Sequence, residues 1–258
     1  MLDQLRREYK HQLKRDPSLE FDPEFVRTTN LERELVDKHG FDAIRLIFED
    51  QNSANYYPLG NFPSDCPWAH LNGLNLRSAI RTLFSSLTKK IPTLIETLCD
   101  RCQYLYAEKT ETNWVLHYFL EMMLYDQRRY YEVYTGGPPT PNPEPNSCLV
   151  NYGWQIPDDL ARLYAIHDGF GPILSNGIIS VMAEMLDPIC KDLNTYPEGY
   201  EFRDLLEFHP DGAGNAQCFH RTNGTITTVD WDHEIWEISG SQDFFSYVDE
   251  RLSQLDEE

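Results

Sequence analysis

Apolar residues recur at three- and four-residue spacing at Leu76, Ile80, Leu83, Phe84 and Leu87, which predicts a helix with one buried face that lasts until Pro92 interrupts it. A second run takes in Trp114, Leu116, Tyr118, Phe119, Leu120, Met122, Met123 and Leu124. It is apolar over much of a helical circumference, so it predicts a central helix that starts near Thr112 or Asn113, either able to cap it, and runs toward Tyr134. Phe41 to Phe48 fits helix or strand, and Tyr57-Pro58-Leu59-Gly60-Asn61-Phe62-Pro63 reads as a loop. The first part of the chain is therefore expected to be mainly helical.

Beyond Cys148 the pattern changes. Ile156-Pro157-Asp158-Asp159-Leu160 through Ile166 predicts a short helix with proline near its first turn and early carboxylates that suit its dipole, ended by Gly169 and Gly171. Phe202 to His209, Gln217 to Arg221 and Thr225 to Trp231 are rich in β-branched and aromatic residues and predict strands. Asn223-Gly224 supplies a hairpin turn between the last two. A turn at Asp232-His233-Glu234, a short strand Ile235 to Ile238 and a closing amphipathic helix with Phe244, Phe245, Val248, Leu252 and Leu255 on its apolar face complete the order. Helix, antiparallel strands and helix in that order make the fold class α+β.

Between the two patterns lies Gly136-Gly137-Pro138-Pro139-Thr140-Pro141-Asn142-Pro143-Glu144-Pro145-Asn146, through which neither a helix nor a central strand can continue. It reads as a semi-rigid linker. The expected organisation is a helical unit over 1–135, a proline-rich linker over 136–147 and an antiparallel-sheet domain with flanking helices over 148–258. Charge changes at the same place. Residues 1–135 carry 17 Lys and Arg against 20 Asp and Glu, so 5 basic and 22 acidic residues remain for 136–258, a net charge of −17 out of −20 for the whole chain. Such a surface repels nucleic-acid phosphates and anionic lipid headgroups and attracts a basic macromolecule, although acidity also serves solubility alone.

The six cysteines are scattered through a chain of 258 residues, large enough to fold without disulfides, and are expected to be free thiols. No stretch approaches the roughly 18 to 20 apolar residues of a membrane span, and Met1 to Glu8 lacks the apolar core of a signal peptide. The expected compartment is the cytoplasm.

The proline-led helix from Ile156, followed by Tyr164-Ala165-Ile166-His167-Asp168-Gly169-Phe170-Gly171, resembles the SUKH superfamily, in particular its Smi/Knr-like branch. The ending Val229-Asp230-Trp231-Asp232-His233-Glu234, Ile235-Trp236-Glu237-Ile238-Ser239-Gly240-Ser241 and Phe244-Phe245-Ser246-Tyr247-Val248 is similar to the strand, turn, strand and Phe-rich helix that often close that family. The resemblance covers roughly the last 110 residues. It implies a SUKH-like α+β domain that binds proteins: an immunity protein that neutralises a bacterial toxin, or a regulatory adaptor. It carries over no invariant binding residue.

The chemistry-bearing patterns are weak by comparison. His233-Glu234-Ile235-Trp236-Glu237 lacks the second histidine of a zinc-protease helix. Asp230, Asp232 and Glu234 alternate at period two and could share one strand face around a hard cation, which makes a divalent-metal-dependent hydrolase the leading enzymatic alternative. Cys99-Asp100-Arg101-Cys102 has redox spacing without a βαβ context. The turn His209 to Asn215 lacks a phosphate-loop lysine, and no nucleophile-elbow sequence marks a serine. The expectation is a non-enzymatic domain without catalytic residue, cofactor or metal. Its partner is a basic protein, a toxin domain met by Asp168, Asp211, Asp230, Asp232, Glu234 and Glu237 as charge partners, with Trp236 as an aromatic anchor.

Overall fold

The computed structural model, which describes residues 55–123, 129–172, 178–179, 202–210, 215–232, 237–240 and 242–254, is built on two antiparallel sheets. The first has the order β1 (Asn55–Pro58), β2 (Cys102–Lys109), β3 (Trp114–Met123), β4 (Arg129–Gly136) and β5 (Phe170–Pro172). The second is a meander of β6 (Leu205–Pro210), β7 (Ala216–Thr222), β8 (Thr225–Asp232) and β9 (Glu237–Ser239). Among the described residues the α-helices are α1 (Leu76–Leu83), α2 (Pro92–Arg101), α3 (Ser147–Asn151), α4 (Asp158–Tyr164) and α5 (Phe244–Arg251). The architecture is α+β. No helix among the described residues is long and apolar enough to cross a membrane.

The helix predicted from Leu76 is α1, capped by the Asn75 side chain accepting from the Ser78 N–H and continued by a 3-10 turn at Ser85–Leu87. Pro92 does more than interrupt it: it opens α2, where its fixed φ suits the first turn. The helix predicted over Trp114 to Tyr134 is instead the strand pair β3–β4. Leu116 to Leu120 are all buried because helices cover one side of β3 and further side chains cover the other. A strand buried on both faces shows a continuous apolar run, which periodicity cannot tell from a buried helix. Asn113 and Thr110 close the β2–β3 hairpin in place of capping a helix, with Thr110 N–H donating to the Asn113 carbonyl at 2.9 Å.

The second sheet agrees closely with the expected strands. Asn223 and Gly224 have φ of 50° and 80°, the left-handed pair that a two-residue hairpin demands. Their register sets Arg221 opposite Ile226, Phe219 opposite Thr228 and Gln217 opposite Asp230. Those pairs share one face of the sheet, against which α5 lays Phe244, stacked on Phe219. The other face buries Leu205, Ala216, Cys218, Val229 and Trp231.

The expectation of two units joined by a linker does not describe this core. One buried cluster draws Phe84, Leu94 and Tyr118 from before the proline-rich stretch together with Phe170, Phe208 and Phe244 from beyond it. Each such side chain contributes about 1.5–3 kcal/mol when fully buried. β5 pairs with β4 across the stretch, α2 packs on α5, and the Asp249 carboxylate accepts the Leu94 N–H at 2.7 Å. The stretch itself is tied to the end of α4, with Thr140 N–H donating to the Tyr164 carbonyl at 2.6 Å.

Candidate functional site

Asp168, expected at a binding surface, is 4 % exposed and belongs to the interior. Its N–H donates to the Pro138 carbonyl at 3.3 Å, and a β-carbon on Gly137 would stand 2.3 Å from its carbonyl oxygen. The neighbouring His167 is fully buried. Its Nδ1 lies 3.0 Å from the Gly137 carbonyl, which can only accept, so Nδ1 carries the proton and Nε2 accepts the Tyr118 hydroxyl at 2.6 Å. Burial lowers the His167 pKa to about 4 and raises that of Tyr118 well above its ordinary value. The His-Asp-Gly corner thus lies in the interior, packed against the Gly136 to Pro138 backbone.

Asp230, Asp232 and Glu237 do lie at the surface, exposed or half-buried. The alternation along β8 puts both aspartates on one face, and the β8–β9 register sets Glu237 opposite Asp232. Asp230 accepts a hydrogen bond from the Gln217 side-chain amide, and its partial burial raises its carboxyl pKa. Asp211, Glu234 and Trp236 lie outside the described residues. Among the described residues no group of three or more His, Cys, Asp or Glu side chains could hold a metal ion.

The same face of β8 leads, two residues at a time, from Asp230 back to Thr228 and Ile226, and there it enters a half-open groove of about 750 Å³. Phe219, Thr228 and Ile226 come from the β7–β8 hairpin, Trp154 and Ile156 from the approach to α4, and Phe244 from the start of α5. Three carboxylates stand on it: Asp158 and Asp159 in the first turn of α4, and Asp243, which caps α5 by accepting the Phe245 N–H at 3.0 Å. Among the described residues the one cation lining it is Arg221, and its donors are committed. They reach the Asp204 carboxylate at 2.7 and 3.0 Å, the Gly153 carbonyl at 2.7 Å and the Tyr152 carbonyl at 3.2 Å, while the guanidinium lies 4.6 Å over the Trp154 ring. Arg221 is therefore a brace for the wall and offers little to an anion.

Sequence reasoning missed this groove. Its signal was available in part, because a two-residue hairpin at Asn223-Gly224 fixes which residues stand opposite each other. What could not be read is that Trp154, Asp158 and Asp243 come to the same place. Among the described residues Cys66, Cys102 and Cys218 are buried thiols and Cys99 and Cys148 half-buried ones. Burial pushes the Cys102 thiol up to about 12, far from the thiolate that redox chemistry needs. His117 and Glu108 form a buried pair at 2.7 Å beneath Tyr56, with no nucleophile in the pair.

Comparison with protein-family models, with curated proteins and with solved structures finds no match to this chain.

Proposed function

We propose that this chain is a non-enzymatic protein-binding domain of the SUKH, Smi/Knr-like type, an immunity protein that neutralises a basic bacterial toxin by binding it directly. The observation that carries the reading is the groove between the β7–β8 hairpin and the starts of α4 and α5, with an apolar floor and three carboxylates around it. It lies in the part of the chain that holds a net charge of −17. Apolar surface ringed by charge is the pattern of a recognition patch, in which the floor supplies affinity and the rim supplies steering. Asp230 and Asp232 extend the acidic rim along β8 on the same side.

The reading predicts a toxin gene beside the gene for this chain, and it is tested by expressing that toxin with and without the chain. Growth arrest by the toxin alone and recovery on co-expression is the expected outcome. Association of the purified pair should slow as salt shortens the Debye length from about 10 Å at 0.1 M to about 3 Å at 1 M, with dissociation much less affected. A basic partner that binds with this salt dependence but has no toxic activity would favour the regulatory adaptor, and a salt-independent complex would remove the acidic surface from the interface.

A further inference from the structure

We infer that the groove receives an extended segment of the partner in which an apolar side chain is flanked by lysine or arginine. The inference rests on the protein-binding reading above and adds the site and the chemistry of its occupant. The apolar requirement comes from the floor. Ile226 is 44 % exposed on the face that also carries Phe219, and the buried rings of Trp154 and Phe244 line the same groove. An isoleucine left that open in a groove is surface that a side chain of the partner would remove from water.

The requirement for positive charge comes from the walls. Asp158, Asp159 and Asp243 line the groove, and the guanidinium of Arg221 is already neutralised by Asp204 and held by two backbone carbonyls. A cation entering here meets free carboxylate lone pairs, whereas an anion meets three like charges and a cation with little left to give. Asp159 has one competing contact, Arg162 at 3.5 Å, but that pair is solvent-exposed and easily exchanged.

A third feature points the same way. Thr228, 5 % exposed at the floor, has a hydroxyl with no hydrogen-bond partner. Thr228 lines the groove with its oxygen closed off from solvent, so a polar atom of the bound segment would meet it through a change of χ1 rotamer on binding. A buried hydroxyl left unpaired is costly in the free protein, and pairing it on binding recovers that cost.

The test uses the full chain and a fluorescein-labelled hexapeptide alternating lysine and leucine, titrated by fluorescence anisotropy beside glutamate–leucine and lysine–serine counterparts. The lysine–leucine peptide should bind saturably, and each counterpart should bind at least about tenfold more weakly. Replacing Asp158→Asn together with Asp159→Asn should weaken it about fivefold and flatten its salt dependence. Ile226→Thr keeps a β-branched residue on an exposed strand position, so the fold survives while affinity falls about fivefold. Thr228→Val should leave the melting temperature unchanged or raised and still weaken binding, the opposite of what a merely structural hydroxyl would do. Equal binding of the glutamate–leucine peptide, or wild-type affinity in all three variants, overturns the inference. Neutralisation of the toxin that survives all three sets of substitutions removes the groove but keeps the immunity reading. A peptide site without any neutralisation does the reverse.

Discussion

The His167 ring meets those of Trp68, Phe84, Tyr118 and Phe170 at centroid separations of 5.5 to 5.8 Å, stacked on Phe170 and tilted or edge-on to the rest. Its two nitrogens are satisfied only in the neutral form, one donating and one accepting. Gly136 makes the approach possible, since a β-carbon there would stand 2.4 Å from the ring. The glycine pair that looks like the start of a flexible linker is thus required by close packing. Because the native pKa of His167, about 4, lies below the value of about 6.5 it takes on unfolding, the unfolded chain binds the extra proton. Stability contributed by the neutral ring is complete above pH 6.5 and is lost as pH falls toward 4. Between pH 7.5 and 5 the loss from this group is about 2 kcal/mol. Urea denaturation at the two pH values should show a loss of stability at the lower one, and the His167 imidazole resonance should stay at its neutral position throughout. A resonance that titrates near pH 6.5 would contradict the neutral buried ring.

Helix α2 begins without a side-chain cap of its own, because Ile91 occupies the capping position. The deficit is made good from α5: the Asp249 carboxylate, 155 positions along the chain, accepts the Leu94 N–H. The two helices are joined by this bond as well as by apolar packing, and the carboxylate also suits the positive end of the α2 dipole. Asp249→Ala removes the acceptor and leaves the α2 N–H groups uncapped. It should cost about 1–2 kcal/mol and appear as a lower urea midpoint. Asp249→Asn, which keeps an oxygen acceptor, should recover part of that loss. Equal destabilisation by both variants would mean that the charge or the packing matters and the hydrogen bond does not.

At the scale of the molecule, the core is shared between segments on either side of the proline-rich stretch. Phe170 packs edge-on against Phe84, Tyr118 and Tyr134, which precede the proline-rich stretch, and the Tyr134 hydroxyl donates to the Leu252 carbonyl at 3.2 Å. A fragment covering 148–258 would expose Phe170, Val248 and Leu252 to water and leave β5 without its partner strand. Such a fragment should show no cooperative thermal transition, whereas the whole chain should show one. A cooperative transition in the fragment would restore the reading of two independent units.

Much of the second sheet was legible along the chain. Strands at the surface of a sheet alternate, a left-handed Asn-Gly pair has few uses besides a hairpin, and the acidic bias of 136–258 is a matter of counting. The α4 segment was equally readable from Pro157 and the carboxylates after it. The exchange of a central helix for β3–β4 was not, because Trp114 to Leu120, His117 apart, are apolar on both sides of the backbone and only their neighbours decide which element they join. Nor was the burial of Asp168, which results from the path of Gly136 to Pro138 across it. The groove lies further still from the linear pattern. It exists because α4, α5 and the β7–β8 hairpin converge, and no local propensity encodes that Trp154, Ile226 and Phe244 line one groove. Composition and periodicity determine which residues seek burial and which element suits them locally; packing decides which surfaces remain open to a partner.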